Sequence, residues 1–428
     1  MTASLFTLVF VIALASSVAL RLWLARRQVA HVLAHRDATP AAFADRIDVA
    51  SHRRAADYTV ARQRFGVIET VADVAVLLAL TLGGGLGWLI RATEALALSP
   101  LLRDALLLAT VAAIGGIAGL PFSWWRTFRI EERFGFNHTT LRLWIADIAK
   151  GVAIGMVLGL PLALLVLWMM RGAGELWWLY VWIAWMAFQL LLLVLYPTVI
   201  APLFNRFSPL PPGDARERIE RLLARCDFRA AGLFVIDGSK RSGHGNAYFA
   251  GFGPAKRVVF FDTLLARLAP EEIEAVLAHE LGHFRLRHIV KRIVWSAALS
   301  LVLLRLLAWL IGAGWFYAGL GIPASEVAVA MARPGVALAL FMLALPVFTF
   351  VLAPVATAYS RRHEFEADAF AARNASAAAL VAALIKLYED NASTLTPDPI
   401  YSAFYDSHPP ASQRVARLLS LAPSPATA

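Results

Sequence analysis

Apolar residues in this chain run together in stretches of about twenty or more, at roughly 4–23, 66–90, 104–125, 149–170, 177–204, 290–318 and 335–359. A helix needs roughly 20 mostly apolar residues to cross about 30 Å of hydrocarbon, where lipid offers no partner to an exposed backbone N–H or C=O. The pattern predicts seven spans. In the first, Arg21, Arg26 and Arg27 follow the apolar run instead of preceding it, the order of a retained anchor and not of a cleaved signal peptide. The third run ends at Pro121 beside Trp124 and Trp125, a pair suited to the membrane interface. The seventh holds Pro346 and Pro354, which spanning helices tolerate where neighbours satisfy the freed carbonyls.

Between the fifth and sixth runs lies the longest polar stretch, 205 to 289, opened by Pro209, Pro211, Pro212 and Gly213 and then a charged amphipathic segment from about Asp214 to Cys226. Short β-rich runs follow at 232–236 and 257–262, with a further strand expected at 246–249 after a turn rich in Gly and Ser. Pro270, Glu271 and Glu272 form a helix start. The expectation is a mainly α, polytopic membrane protein carrying a small α+β unit. The end from about 421 is low in complexity and is expected to be disordered.

Composition agrees with a bilayer: 59% of the 428 residues are hydrophobic, only 16% are charged, and the mean hydropathy is +0.63. Charge adds a direction. The loops 91–103, 171–176 and 319–334 carry only Arg91, Arg103, Arg171 and Arg333, while nearly all other Lys and Arg lie on the opposite side. The positive-inside rule then puts the N-terminus outside and the loops 26–65, 126–148, 205–289 and the segment after 360 in the cytosol. The net charge of +10 therefore reports topology and attraction to anionic lipid headgroups. Nucleic acid is not an expected partner, because the basic residues are spread over four loops without a reader motif. The single cysteine, Cys226, forbids an intrachain disulfide and fits a reducing compartment.

The chemistry sits in His279-Glu280-Leu281-Gly282-His283, an H-E-x-x-H pattern. On a helix, residues four apart lie about 40° from each other, so both imidazoles can reach one Zn²⁺ while Glu280 faces water beside it. A third ligand must come from elsewhere. His288, nine residues on from His279, falls about 180° round the same helix and is read as structural. After the seventh run, Glu364 and Asp368 share a helix face, so Glu364 could ligate zinc while Asp368 orients a ligand histidine. The alternative for this pair is a solvated acidic patch neutralised by Arg361 and Arg362. His363 and Glu366 point to other faces. Three ligands leave a fourth position for water, with Glu280 as its base and later as the acid for the leaving amine. His408 is a candidate donor to the oxyanion.

These residues resemble the type I CAAX prenyl endopeptidases, seven-span zinc proteases that process prenylated C-termini. The resemblance is carried by FRIEERFGFN (128–137), DGSKRSGHGNAYFAGFG (237–253), VVFFDTLL (258–265), HELGH (279–283), SRRHEFEADAFA (360–371) and SHPPASQR (407–414), six segments in the family's order. It implies a barrel of seven helices around an intramembrane chamber, with the zinc site at its cytosolic end. It implies one zinc per chain on His279, His283 and Glu364, Glu280 as base, and Asp368 behind the ligands. It further implies that Asn246, with Ala247 and Tyr248, holds the substrate backbone, and that His408 and Arg414 contact substrate near the scissile bond. Asn246 alternatively caps a turn, and Arg414 alternatively is a surface charge of a C-terminal helix.

Five regions are expected: membrane helices one to five with an N-terminal cytosolic loop (1–204), a cytosolic metalloprotease unit (205–289), membrane helices six and seven (290–360), a C-terminal helical part with the third ligand (361–420), and the tail (421–428). The substrate is expected to be a prenylated or other membrane-associated peptide, and a membrane quality-control protease is the alternative. A non-enzymatic scaffold would close the zinc's fourth position with Cys or His, and the one cysteine lies far from the motif. A transporter would place more charge within the spans.

Overall fold

The computed structural model describes residues 1–228, 231–250 and 257–421; the expected disordered tail lies almost wholly outside them. Helix α1 (Ala3–Ala34) starts on the Thr2 hydroxyl, which accepts from Leu5 N, and α2 (Val49–Leu80) starts on Asp48, which accepts from Ser51 N. These caps satisfy amides that a first helical turn leaves without partners. Beyond α2 the chain turns through Gly84, held at φ 77°, into α3 (Gly85–Glu94), bent 49° from it. Helix α4 (Pro100–Trp125) continues through a π-helical turn to Glu131. Helices α5 (Leu141–Ile154) and α6 (Leu160–Gly172) are joined by a π segment into one rod, and α7 (Trp177–Leu195) runs through another into α8 (Ala201–Phe204).

A four-stranded sheet follows, built from β1 (Phe207–Pro209), β2 (Gly232–Ile236), β3 (Ala247–Ala250) and β4 (Arg257–Phe261) in the order β1-β2-β4-β3. Strands β2 and β4 are parallel, the outer pairs antiparallel, and Ala247 lies opposite Phe260. Among the described residues, strand β3 is an edge. Helix α9 (Asp214–Arg225) precedes β2, α10 (Asp262–Leu265) follows β4, and α11 (Pro270–Arg285) carries the H-E-x-x-H pattern. Their apolar faces meet in one core around Ile219, Leu222, Val258, Phe260, Leu281 and Leu384.

The chain then returns to long apolar helices, α12 (His288–Leu310), short α13 (Gly314–Gly319) and α14 (Val327–Met331), and α15 (Pro334–Thr349). A 3₁₀ turn at Phe350–Leu352 leads into α16 (Ala353–Asn374), so the last span carries on past its apolar part into the Glu364 segment. Helices α17 (Ala377–Asp390), α18 (Pro399–Tyr405) and α19 (Ala411–Leu421) complete the chain.

Among the described residues, six helical stretches are long and apolar enough to cross a membrane, and the bent α2–α3 pair makes seven. Large apolar side chains such as Val157, Ile117, Met342 and Trp168 lie exposed along them, as a lipid-facing surface requires. The protein is therefore a multi-pass integral membrane protein. The four arginines of the short loops are all ion-paired: Arg91 to Glu326 (2.6 Å), Arg103 to Glu94 (2.5 Å), and both Arg171 (2.5 Å) and Arg333 (2.8 Å) to the fully buried Asp104.

Candidate metal centre

Helix α11 begins with Pro270 in its first turn, and the Glu272 carboxylate accepts from Ala269 N at 2.7 Å and from Lys386 Nζ at 2.7 Å. The helix is buried along most of its length and packs against α16 across Gly282. A Cβ at Gly282 would stand 3.0 Å from Ala367 Cα and 3.1 Å from Phe370 Cβ. The missing side chain thus lets α16 approach until Glu364 reaches the histidines. Gly282→Ala is expected to cost about 1–3 kcal/mol of stability, as overpacking does, and to weaken metal binding by moving Glu364 away. Melting temperature and zinc content of the purified variant check both.

His279 Nε2 and His283 Nε2 lie 3.2 Å apart, and the Glu364 oxygens stand 3.4 Å from the first and 3.3 Å from the second. A tetrahedral zinc with bonds of about 2.0–2.1 Å has ligand atoms roughly 3.3 Å apart, so this triangle has the dimensions of three of its corners. Glu364 is 3% exposed, and among the described residues its Oε2 has no hydrogen-bond partner. A buried carboxylate oxygen without a donor, facing two converging imidazole nitrogens, fits a cation between them.

Behind the triangle, His279 Nδ1 lies 2.8 Å from Asp368 Oδ1. Arg414 grips the same carboxylate with two parallel bonds, Nε to Oδ2 at 2.9 Å and Nη2 to Oδ1 at 2.6 Å. Arg414 is 5% exposed, so it is no surface charge; its Nη1 stands 3.9 Å from Glu364 Oε2. Burial lowers the basicity of His279, and the neighbouring carboxylates of Asp368 and Glu364 raise it. Burial also raises the Glu280 carboxyl above the usual glutamate range, against the opposing pull of His279 and His283. Glu280 is half-buried and next to His279 in sequence. His408 Nε2 reaches to 3.5 Å from Glu364 Oε2 on an exposed loop, which Arg361 steadies by donating to the carbonyls of Ser402 and Asp406.

Strand β3 packs beside α11, and among the described residues β4 is its one strand neighbour. Asn246 is exposed at its start; its Oδ1 accepts from Ala247 N at 2.8 Å, the local cap geometry, while its carbonyl accepts from Phe261 N. Ala247 is buried, and burial raises the Tyr248 phenol to about 12. The 128–137 segment meets this region: Glu131 accepts from Tyr58 at 2.7 Å and lies 3.5 Å from His244, and Phe136 stacks on His244 with ring centres 4.4 Å apart. Arg241 closes the joint with a two-bond pair to Asp147.

His288 departs from expectation. The angular argument needs one continuous helix, but α11 ends at Arg285 and Arg287 turns the chain with φ 57°. His288 comes back beside His283 instead of lying on a far face, with the two Nδ1 atoms 3.0 Å apart. His363 and Glu366 lie off the ligand triangle, as their helix positions imply, and gather around His288.

Comparison with known proteins adds relatives to this geometry. Residues 28–206 match the family described as the CAAX prenyl protease N-terminal region with five membrane helices, and residues 209–422 match peptidase family M48. A CAAX prenyl protease 1 homologue of Oryza sativa subsp. japonica is 38% identical over 327 residues, covering 74% of this chain and 73% of that protein. The Homo sapiens CAAX prenyl protease 1 homologue is 35% identical over 353 residues, covering 74% and 73%. The crystal structure of S. mikatae Ste24p resembles the fold with a TM-score of 0.88 at 28% identity, covering 96% of this chain and 99% of that one.

Proposed function

The chain belongs to the M48 metallopeptidases of the CAAX prenyl protease type, and from that premise we propose that it holds one zinc on His279, His283 and Glu364 and cuts the C-terminal region of prenylated peptides. The observation that carries the ligand assignment is the triangle of two Nε2 atoms and one buried carboxylate, at 3.2–3.4 Å, with Glu280 alongside. When bound there, zinc supplies Lewis acidity toward a carbonyl oxygen and toward water. Glu280 takes the proton of the attacking water and returns it to the leaving amine. Asp368, itself gripped by Arg414, accepts from His279 Nδ1 and keeps Nε2 unprotonated for the metal. His408 sits where a side-chain N–H can donate to the developing oxyanion.

The edge of β3 that no described strand pairs is the place for the substrate backbone, since an extended peptide gains main-chain hydrogen bonds there whatever its side chains. A cavity of about 630 Å³, lined by Arg21, Tyr58, Arg62, Tyr401 and His408 among others, adjoins the site and offers room for a peptide. The uneven distribution of Lys and Arg supports a cytosolic metal site and C-terminus with the N-terminus outside.

Detergent-purified, zinc-loaded protein tests the substrate class with a fluorogenic farnesylated C-terminal peptide and its unprenylated twin. Faster cleavage of the farnesylated peptide is expected. Equal rates would assign the enzyme to membrane-associated peptides in general, and no cleavage of either would remove the CAAX substrate.

A further inference from the structure

The two ligand histidines are steadied differently. His279 hands its Nδ1–H to a carboxylate directly, but His283 Nδ1 faces another imidazole, His288 Nδ1, at 3.0 Å. On its far side His288 Nε2 lies 3.0 Å from Glu366 Oε2. A carboxylate only accepts, so His288 Nε2 carries the proton and its Nδ1 is left with a lone pair. That lone pair accepts from His283 Nδ1–H, which leaves His283 Nε2 unprotonated and directed at His279 Nε2 and Glu364.

We propose that His288 and Glu366 are positioning residues, a relay from Glu366 through His288 that fixes the tautomer and ring orientation of His283. The proposal rests on the reading of His283 as a metal ligand. Each part of the relay is held in place. Arg287 in the left-handed conformation starts α12 at His288, which is 1% exposed and stacks on His363 with ring centres 4.0 Å apart and planes 9° from parallel. Tyr359 presses its edge on His363 from the side, at 4.3 Å between ring centres. Glu366 is fixed by Arg362 Nε at 2.9 Å, with Lys291 Nζ at 3.8 Å.

The same three residues, His288, His363 and Glu366, are close enough to suggest a second metal site. Their arrangement argues for the relay instead. An imidazole binds metal in its own plane, and two rings stacked nearly parallel cannot both aim their lone pairs at one point between them. Arg362 and Lys291 already balance the Glu366 charge.

The test is zinc affinity, measured on the full-length protein in detergent by competition with a chelator, with no substrate present. His288→Phe keeps an aromatic ring against His363 and removes both nitrogens; it is expected to weaken zinc binding by about 10- to 100-fold. His288→Gln keeps one acceptor and one donor on the side chain and is expected to restore most of the affinity, which a space-filling role would not do. Glu366→Ala, which frees the His288 tautomer, is expected to shift affinity in the same direction as Phe. Unchanged affinity in His288→Phe, or equal losses in Phe and Gln, overturns the relay. Wild-type protein that binds no zinc removes the ligand assignment and the relay with it, so the two failures are distinguishable.

Discussion

Glu280→Gln will lower the rate of peptide cleavage by about 10²- to 10⁴-fold, the range over which a positioned general base acts, while zinc content stays at the wild-type level. The two outcomes separate because Glu280 is not part of the triangle formed by His279, His283 and Glu364, so an amide of the same shape leaves those three atoms in place. An amide cannot take a proton from water at neutral pH. Stability moves the other way. Burial raises the Glu280 carboxyl, so folded-state stability is lost as pH rises from the ordinary glutamate range through the raised pKa, and the neutral amide lifts that penalty. The variant is therefore expected to melt at or above the wild-type temperature at pH 7. Metal analysis, melting and single-turnover cleavage on one preparation read all three. Wild-type cleavage by a zinc-loaded Glu280→Gln protein would remove Glu280 as the base.

Much of this was legible in the sequence because the signals are local. An apolar run long enough to cross hydrocarbon is visible wherever it stands, and all seven appear, including the one whose partner half is bent away at the glycines 83–85. Polar segments packed by tertiary contact were not visible. The first half of α2 carries Arg53, Arg54, Asp57 and Arg62 yet is helical, because Ala55, Ala56, Tyr58 and Val60 bury its other face. Likewise α16 continues the last span to Asn374, and only that rigid continuation delivers Glu364 and Asp368 to α11.

The site divides in the same way. His279 with His283, and Glu364 with Asp368, are each four residues apart on one helix, so spacing alone puts each pair on one face. His288 escaped the same reasoning because one left-handed residue, Arg287, ends the helical phase that the argument extrapolates. The segment 128–137 joins parts of the fold: its Glu131 and Phe136 tie the loop at His244 to the membrane helices. That job depends on contacts between positions far apart in the chain, which no single-chain pattern encodes.

Arg414 shows the limit most clearly, and its replacement carries the second large effect. In a chain this basic, one more arginine on a terminal helix looks like a surface charge, and resemblance to the family points to substrate contact. The structure spends the guanidinium on Asp368 through two hydrogen bonds, in a place where both residues are at most 5% exposed. Removing one partner of a buried charge pair leaves the other uncompensated, at a cost of about 3–5 kcal/mol. Arg414→Met is therefore expected to lower the melting temperature sharply. Because Asp368 would then be held only from the His279 side, zinc affinity is expected to fall by about 10- to 100-fold. Arg414→Lys keeps the charge without the two-pronged fork and should fall between Met and wild type. Arg414→Met combined with Asp368→Asn is expected to cost less than the two single changes together, because the stranded carboxylate is gone. A substrate-contact role predicts a different pattern, a raised KM with kcat, melting temperature and zinc affinity intact. That pattern would return Arg414 to the substrate side of the site; losses of stability and zinc affinity would place it behind His279.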